Sequence, residues 1–362
     1  MQFVLHLVLL VILVLGPAAA RVTLSGSPPS AEPGPVVQSD STAANEAAAA
    51  NAPPPSLLET GLYQAGTGSG TDAQVDPHNL AFAPQYPLWS DGAVKRRWLY
   101  LPPGTFIDAT RPDAWEFPPG TRLWKEFSFQ GRRVETRLIE RRADRSWRFV
   151  SYVWNEDGSD AVLVPAAGVV LDIVEATTGR YAIPSQEDCL ACHEGAPVPV
   201  LGASAVQLSA DLKGLVDLGL LRNLPEEILA HPPEIAAASP TERAALGYLH
   251  GNCGHCHNHN GAPAPVRVVL AQTAVRAAES RDRVLASAVN QRSRFRPAGM
   301  PGKAVVIAPG NPVVSVLAWR MRSRHALVQM PPLGTLIPDD EGIALIERWI
   351  ASDLTKNKEP TQ

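Results

Sequence analysis

The sequence predicts a multidomain chain, a β-rich N-terminal domain (sandwich- or barrel-like) followed by an all-α domain. Two observations carry that prediction. Six of the eight Trp fall between Trp89 and Trp154, among short alternating runs of β-branched and aromatic residues separated by turn signals. After residue 185 the pattern changes to Ala-, Leu-, Glu- and Arg-rich stretches broken by Pro and Gly, which is helical in character.

At the N-terminus, Phe3 to Leu15 is apolar except for His6, and Ala18 and Ala20 follow as small residues. The run is too short to span a bilayer and reads as a signal peptide over 1–20, although Met1-Gln2 supplies no basic residue. Export to a periplasm-like space follows as an expectation. Residues 21–56, rich in Ala, Pro and Ser, read as a disordered linker, because they bury too little apolar surface to offset their chain entropy.

Residues 57–184 form the β-rich domain. Strands are expected at Arg96–Leu101, Arg122–Phe129, Arg133–Ile139 and Trp147–Trp154, with turns at Pro102-Pro103-Gly104, Pro118-Pro119-Gly120, Gln130-Gly131 and Asp157-Gly158. Arg133, Glu135 and Arg137 alternate with Val134, Thr136 and Leu138, the period of a half-buried strand. Helical stretches are expected at 206–230, 241–250, 274–289 and 311–323. A last helix opens at Pro338-Asp339-Asp340-Glu341, with acids at its positive end and Ile343, Ile346, Trp349 and Ile350 on one face. A polar tail, 356–362, closes the chain.

A net charge of −4 gives no basic excess with which to neutralise phosphates, so a nucleic-acid partner is not expected. The runs Lys95-Arg96-Arg97 and Arg132-Arg133 read as solvated strand faces. Beyond the N-terminus no stretch is long and apolar enough for a membrane span, so stable membrane insertion is not expected.

All four cysteines lie in two copies of one motif: Cys189-Leu190-Ala191-Cys192-His193 and, 64 residues further on, Cys253-Gly254-His255-Cys256-His257. C-x-x-C-H is the attachment signature of c-type haem. Thiols at i and i+3 share one face of a helical turn, where both can add to the vinyl groups of one porphyrin edge, and the next residue turns its imidazole to the iron. Cys189, Cys192 and His193, and Cys253, Cys256 and His257, are therefore candidate haem-binding residues, with two covalent haems c as cofactor. Disulfide exchange needs neither a second motif nor the following His, structural zinc would meet both His by accident, and structural disulfides remain the plain alternative.

A helix from Thr241 to His250 leads into the second motif, and Met330 follows His257 by 73 residues in Gln329-Met330-Pro331-Pro332. The prolines stiffen that loop in an extended form. In this order of features, residues 236–355 resemble a class I cytochrome c domain. The resemblance implies that Cys253 and Cys256 hold haem, that His257 and Met330 are its two axial ligands, and that its potential is comparatively high. Without it, Met330 reads as a core-filling methionine. Tyr86-Pro87-Leu88-Trp89-Ser90-Asp91-Gly92-Ala93, Trp115-Glu116-Phe117-Pro118, Tyr152-Val153-Trp154 and Ile183-Pro184-Ser185 add a resemblance to a family of bacterial exported dihaem c-type cytochromes with a β-rich N-terminal domain. That likeness implies an architecture and no substrate.

Residues 185–235 form the first haem-attachment segment, where Ser185 and Asp188 can cap a short helix that Glu194-Gly195 and Pro197 end. Its distal ligand is open among Met300, Met321, His78, His231, His250 and His325. His250, His255 and His259 crowd the second motif and read as imidazoles at a haem edge rather than a metal site. The expected function is single-electron transfer between redox partner proteins. The alternative is a haem-dependent oxidoreductase working at an open first site, or on a ligand held by the β-rich domain.

Overall fold

The computed structural model describes residues 52–64, 73–300 and 302–356. The signal peptide over 1–20, most of the 21–56 linker and nearly all of the polar tail lie outside the described residues. Residues 53–356 belong to one compact unit.

The strands in chain order are β1 (Leu80–Ala81), β2 (Val94–Tyr100), β3 (Ile107–Asp108), β4 (Arg122–Phe129), β5 (Arg132–Arg141), β6 (Trp147–Trp154), β7 (Ala161–Leu163), β8 (Val169–Asp172), β9 (Arg180–Ile183) and β10 (Leu221–Arg222). An antiparallel sheet runs β1-β2-β4-β5-β6-β7, while β8 pairs with β9 and β10 lies parallel to β3. Gln130-Gly131 makes the tight β4–β5 hairpin, with positive φ at both residues (48° and 87°), the backbone a two-residue turn of matching twist requires.

One face of the sheet carries the cross-strand row Trp98, Trp124, Leu138 and Val150. It is closed by Leu57 and Leu62 from a 3₁₀ turn at Leu57–Thr60 and the residues after it. The buried indoles are satisfied: Trp124 Nε1 donates to Thr60 Oγ1 (3.0 Å) and Trp154 Nε1 to Thr136 Oγ1 (3.0 Å). Pro54 and Pro55 accept hydrogen bonds from the Tyr152 hydroxyl and the Leu163 amide, so the end of the expected linker lies against the sheet.

Helices follow as α1 (Gln186–His193), α2 (Leu212–Asp217), α3 (Glu226–Ala230), α4 (Pro240–Asn252), α5 (Ala277–Ala288), α6 (Val316–Arg322) and α7 (Asp340–Arg348). Ser239 caps α4 by accepting from the Glu242 amide, with Pro240 in the first turn where its missing N–H costs nothing. Asp339 caps α7 through the Gly342 amide, and α7 continues into a π turn over Trp349–Asp353. Ile346, Trp349 and Ile350 are fully buried.

The expected all-α class I cytochrome domain over 236–355 is not what forms. Long irregular stretches separate α4, α5, α6 and α7, and the one between α5 and α6 folds on itself through isolated β-bridges, Val289 with Ile307, Arg292 with Val305, and Val305 with Ser315. The helices also lack a core of their own: Leu246, Leu249, Ile346 and Trp349 share one continuous apolar cluster with Leu99, Trp115, Phe117 and Leu123 of the β-rich part. The Pro and Gly content of 291–315 leaves too little helix propensity to close that gap, and the helices complete their burial against the N-terminal region as well.

The segment from Pro84 to Gly92 crosses α4 at two glycines. Gly247 and Gly251, one turn apart on the same face, lie against Tyr86, so a Cβ at Gly247 would overlap its ring and one at Gly251 its carbonyl oxygen. Gly251→Ala is therefore expected to cost about 1–3 kcal/mol by overpacking. Gly214→Ala, at an exposed position of α2 with nothing near the new methyl, should gain roughly 0.5–1 kcal/mol through helix propensity. Denaturant melts of the two variants check the contrast.

Candidate functional site

The first motif sits on α1 as the sequence suggests. Ser185 and Asp188 form a reciprocal capping box, with the Ser185 hydroxyl accepting from the Asp188 amide (3.1 Å) and the Asp188 carboxylate accepting from the Ser185 amide (3.0 Å). His193 is the last helical residue. Its Nδ1 lies 2.6 Å from the Pro199 carbonyl, an acceptor only, so Nδ1 carries the proton and Nε2 keeps a free lone pair. Burial pulls its pKa down to about 4, with nearby Lys125 and Arg137 pushing the same way against the carbonyl bond. The ring is thus neutral, the form that ligates a metal.

The second motif follows α4 directly. Cys253 ends the helix, and the chain folds back as the Cys256 and His257 amides donate hydrogen bonds to the Cys253 carbonyl (3.1 and 2.7 Å). Asn258 Nδ2 secures that turn by donating to the Gly254 and His255 carbonyls (3.0 and 2.9 Å). Gly254 is required here, since a Cβ would stand 2.7 Å from the His250 oxygen and 2.9 Å from Ala271 Cα. His257 Nδ1 is buried beside the Val268 backbone without a hydrogen bond of good geometry, and burial lowers its pKa.

Although 64 residues separate the motifs in sequence, they meet in space. Ligand atoms of Cys192, His255 and Cys256 lie within 4.8 Å of one another. The loops approach at Gly195 and Gly261, where a Cβ on Gly195 would come 2.9 Å from Gly261 Cα. All four cysteines are free thiols. A hydrogen bond from Cys192 to Cys256 raises the first thiol above its ordinary range and lowers the second, and burial pushes Cys253 up to about 12.

Met330 reaches the same place from a braced loop. Its amide donates to the Arg320 carbonyl (3.0 Å), and Arg320 Nε donates to the Val328 carbonyl (2.7 Å). Further along, the Asp91 carboxylate accepts from the Leu336 and Ile337 amides, while the Trp89 amide donates to Asn252 Oδ1 (2.7 Å) at the end of α4. Both motifs and Met330 line one cavity of about 820 Å³ whose wall is mostly apolar. Cofactor pockets span roughly 300–1,000 Å³.

The other expected candidates separate clearly. Met321, from the helix whose Arg320 lies beside His257, lines the cavity. Met300 is buried away from it, and His78, His231, His259 and His325 are exposed. His250 is committed elsewhere, its Nδ1 accepting from the Gln272 amide (3.1 Å), so the three crowded histidines have three different surroundings. Sequence reasoning missed Arg97, Lys125 and Arg137, which also line the cavity. Arg97 is only 8% exposed and Lys95 bonds the Leu88 carbonyl, so Lys95-Arg96-Arg97 is not a solvated face: Arg96 alone of the three is exposed. In β5 the expected alternation holds for Val134, Thr136 and Leu138, which are buried, against the partly exposed Arg133 and Arg137; Glu135 departs from it and is buried too.

Set beside family models, curated proteins and solved structures, the chain matches none. Among the described residues, no helix is long and apolar enough to cross a membrane.

His250 yields a pH prediction. Burial first, and His255 second, lower its pKa from 6.5 to about 4. A folded pKa below the unfolded one contributes stability that is present above about pH 6.5 and lost as pH falls towards 4. The loss should be of order 2–3 kcal/mol. Melting curves between pH 7 and 4 should show it in the wild type and a smaller loss in His250→Asn, whose side-chain oxygen can accept the Gln272 amide without titrating.

Proposed function

We propose that the chain is an exported c-type cytochrome that holds two haems c in one shared cavity and passes single electrons between redox partner proteins. The observation that carries this reading is that both C-x-x-C-H motifs and Met330 face the same largely apolar cavity. The donor set fits the group. Each motif offers two thiols and an imidazole, His193 holds a free Nε2, and His257 is a buried imidazole with an orphaned Nδ1. Haem attached there supplies reversible Fe(III)/Fe(II) cycling.

The chain's own residues do the rest. Were haem bound, Cys189 and Cys192, and Cys253 and Cys256, would be its attachment thiols, and His193 and His257 would offer their imidazoles to the iron. The Pro199 carbonyl fixes the tautomer and orientation of His193, as outer-shell partners of ligating imidazoles do. Met330, held at the cavity by Arg320 and by the Asp91 clamp on the following loop, would supply a thioether ligand at the second site. The apolar wall excludes water and so raises the cost of the more highly charged oxidised state.

Two other readings each rest on one observation. Of the methionines and histidines considered as the distal ligand of the first site, only Met321 lines the cavity, and it lies with Arg320 near His257. This favours an open first site and an oxidoreductase that works there. The Cys192–His255–Cys256 cluster has the donors of a transition-metal site when its thiols carry no haem.

The full chain matured in a host with c-type assembly machinery separates them. Pyridine haemochrome analysis should give two covalent haems per polypeptide. Optical spectra should contain a Met–Fe charge-transfer band that Met330→Ala abolishes. A high-spin component assigned to the first site would move the reading to the oxidoreductase. Retained zinc or copper without haem would replace it with the metal site.

A further inference from the structure

Arg97, Lys125 and Arg137 are direct cross-strand partners: Arg97 faces Lys125 across β2 and β4, and Lys125 faces Arg137 across β4 and β5. Like charges set opposite one another in a sheet repel, and here the row lines the cavity rather than open solvent. Arg137 is neutralised. It makes a two-pronged bond to Glu135 (2.7 and 2.9 Å), whose carboxylate also accepts from the Tyr181 hydroxyl (2.6 Å). Among the described residues, Arg97 and Lys125 form no ion pair and no side-chain hydrogen bond. Lys125 rests on the Phe127 ring at 4.8 Å, and burial and both arginines depress its pKa. The Asp188 carboxylate in the same wall is occupied by Ser185. Two basic side chains therefore face a largely apolar cavity without an ion-pair or hydrogen-bond partner, Lys125 of them close to His193.

We propose that Arg97 and Lys125, backed by Arg137, form an anion site in the sheet wall of the cavity that takes a carboxylate or a small oxyanion. The row is the place where an apolar ligand with anionic oxygens is oriented, its body along the apolar wall and its charge on the sheet. Resting on the cytochrome reading, the carboxylates are those of the haem held at Cys189 and Cys192; the other source is a free oxyanion admitted to the first site.

The test uses the full-length chain, prepared with and without haem, and follows thermal unfolding in sodium formate against sodium chloride at equal ionic strength. In the haem-free protein, formate should raise Tm by about 2–4 °C over chloride. In Lys125→Met and Arg97→Gln that rise should vanish, while Tm in chloride equals or exceeds the wild-type value because the repulsion is gone. In the haem-loaded protein, loss of the formate response, together with a lower midpoint potential of one haem in Lys125→Met, assigns the site to the haem carboxylates. A persisting formate response assigns it to a free oxyanion. No formate-specific shift in either preparation, with no change of potential in Lys125→Met, overturns the proposal. If haem never attaches, the cytochrome reading fails while the haem-free arm still decides the anion site.

Discussion

The geometry of the site depends on how the Tyr86–Asp91 segment is held across α4. Tyr86 lies on Gly247 and Gly251, Gln207 bonds the backbone of Tyr86 on both sides, and Asn252 clamps Pro87 and Trp89. These contacts fix the distance between the sheet and the helix that leads into the second motif. Asp91 then holds Leu336 and Ile337, which positions the loop that carries Met330. Side chains larger than hydrogen at the two glycines would lift the segment and open the cavity that both motifs share.

The cavity divides into walls of different chemistry. Towards α6 and the Met330 loop the thioethers of Met321 and Met330 and the second motif stand with Arg320 and Arg324. Towards the sheet Arg97, Lys125 and Arg137 line it, the last two near His193 of the first motif.

Local features were legible in the sequence because local chemistry sets them. Strands β4 and β6 fall where alternation and turn residues put them. The Ser185–Asp188 cap and the opening of α7 at Asp339 depend on residues three or four apart. Tertiary pairing was not legible. Arg97, Lys125 and Arg137 look like ordinary polar positions of half-buried strands, and only the sheet register reveals that they form one row. The all-α C-terminal domain was over-read for the same reason. Helix periodicity in α4 and α7 is real, but nothing in it says that their apolar faces pack on Trp115 and Phe117 as well as on one another. The motifs themselves were plain; that Cys192 and Cys256 would meet was not.

The central claim is that two cofactor sites share one cavity. The most direct test is the EPR spectrum of the oxidised, haem-loaded chain, set against two variants that each keep one motif: Cys189→Ala with Cys192→Ala, and Cys253→Ala with Cys256→Ala. Because the motif thiols meet within 4.8 Å, the account expects the intact spectrum to depart from the sum of the two, through coupling between neighbouring irons. A spectrum equal to that sum would contradict it.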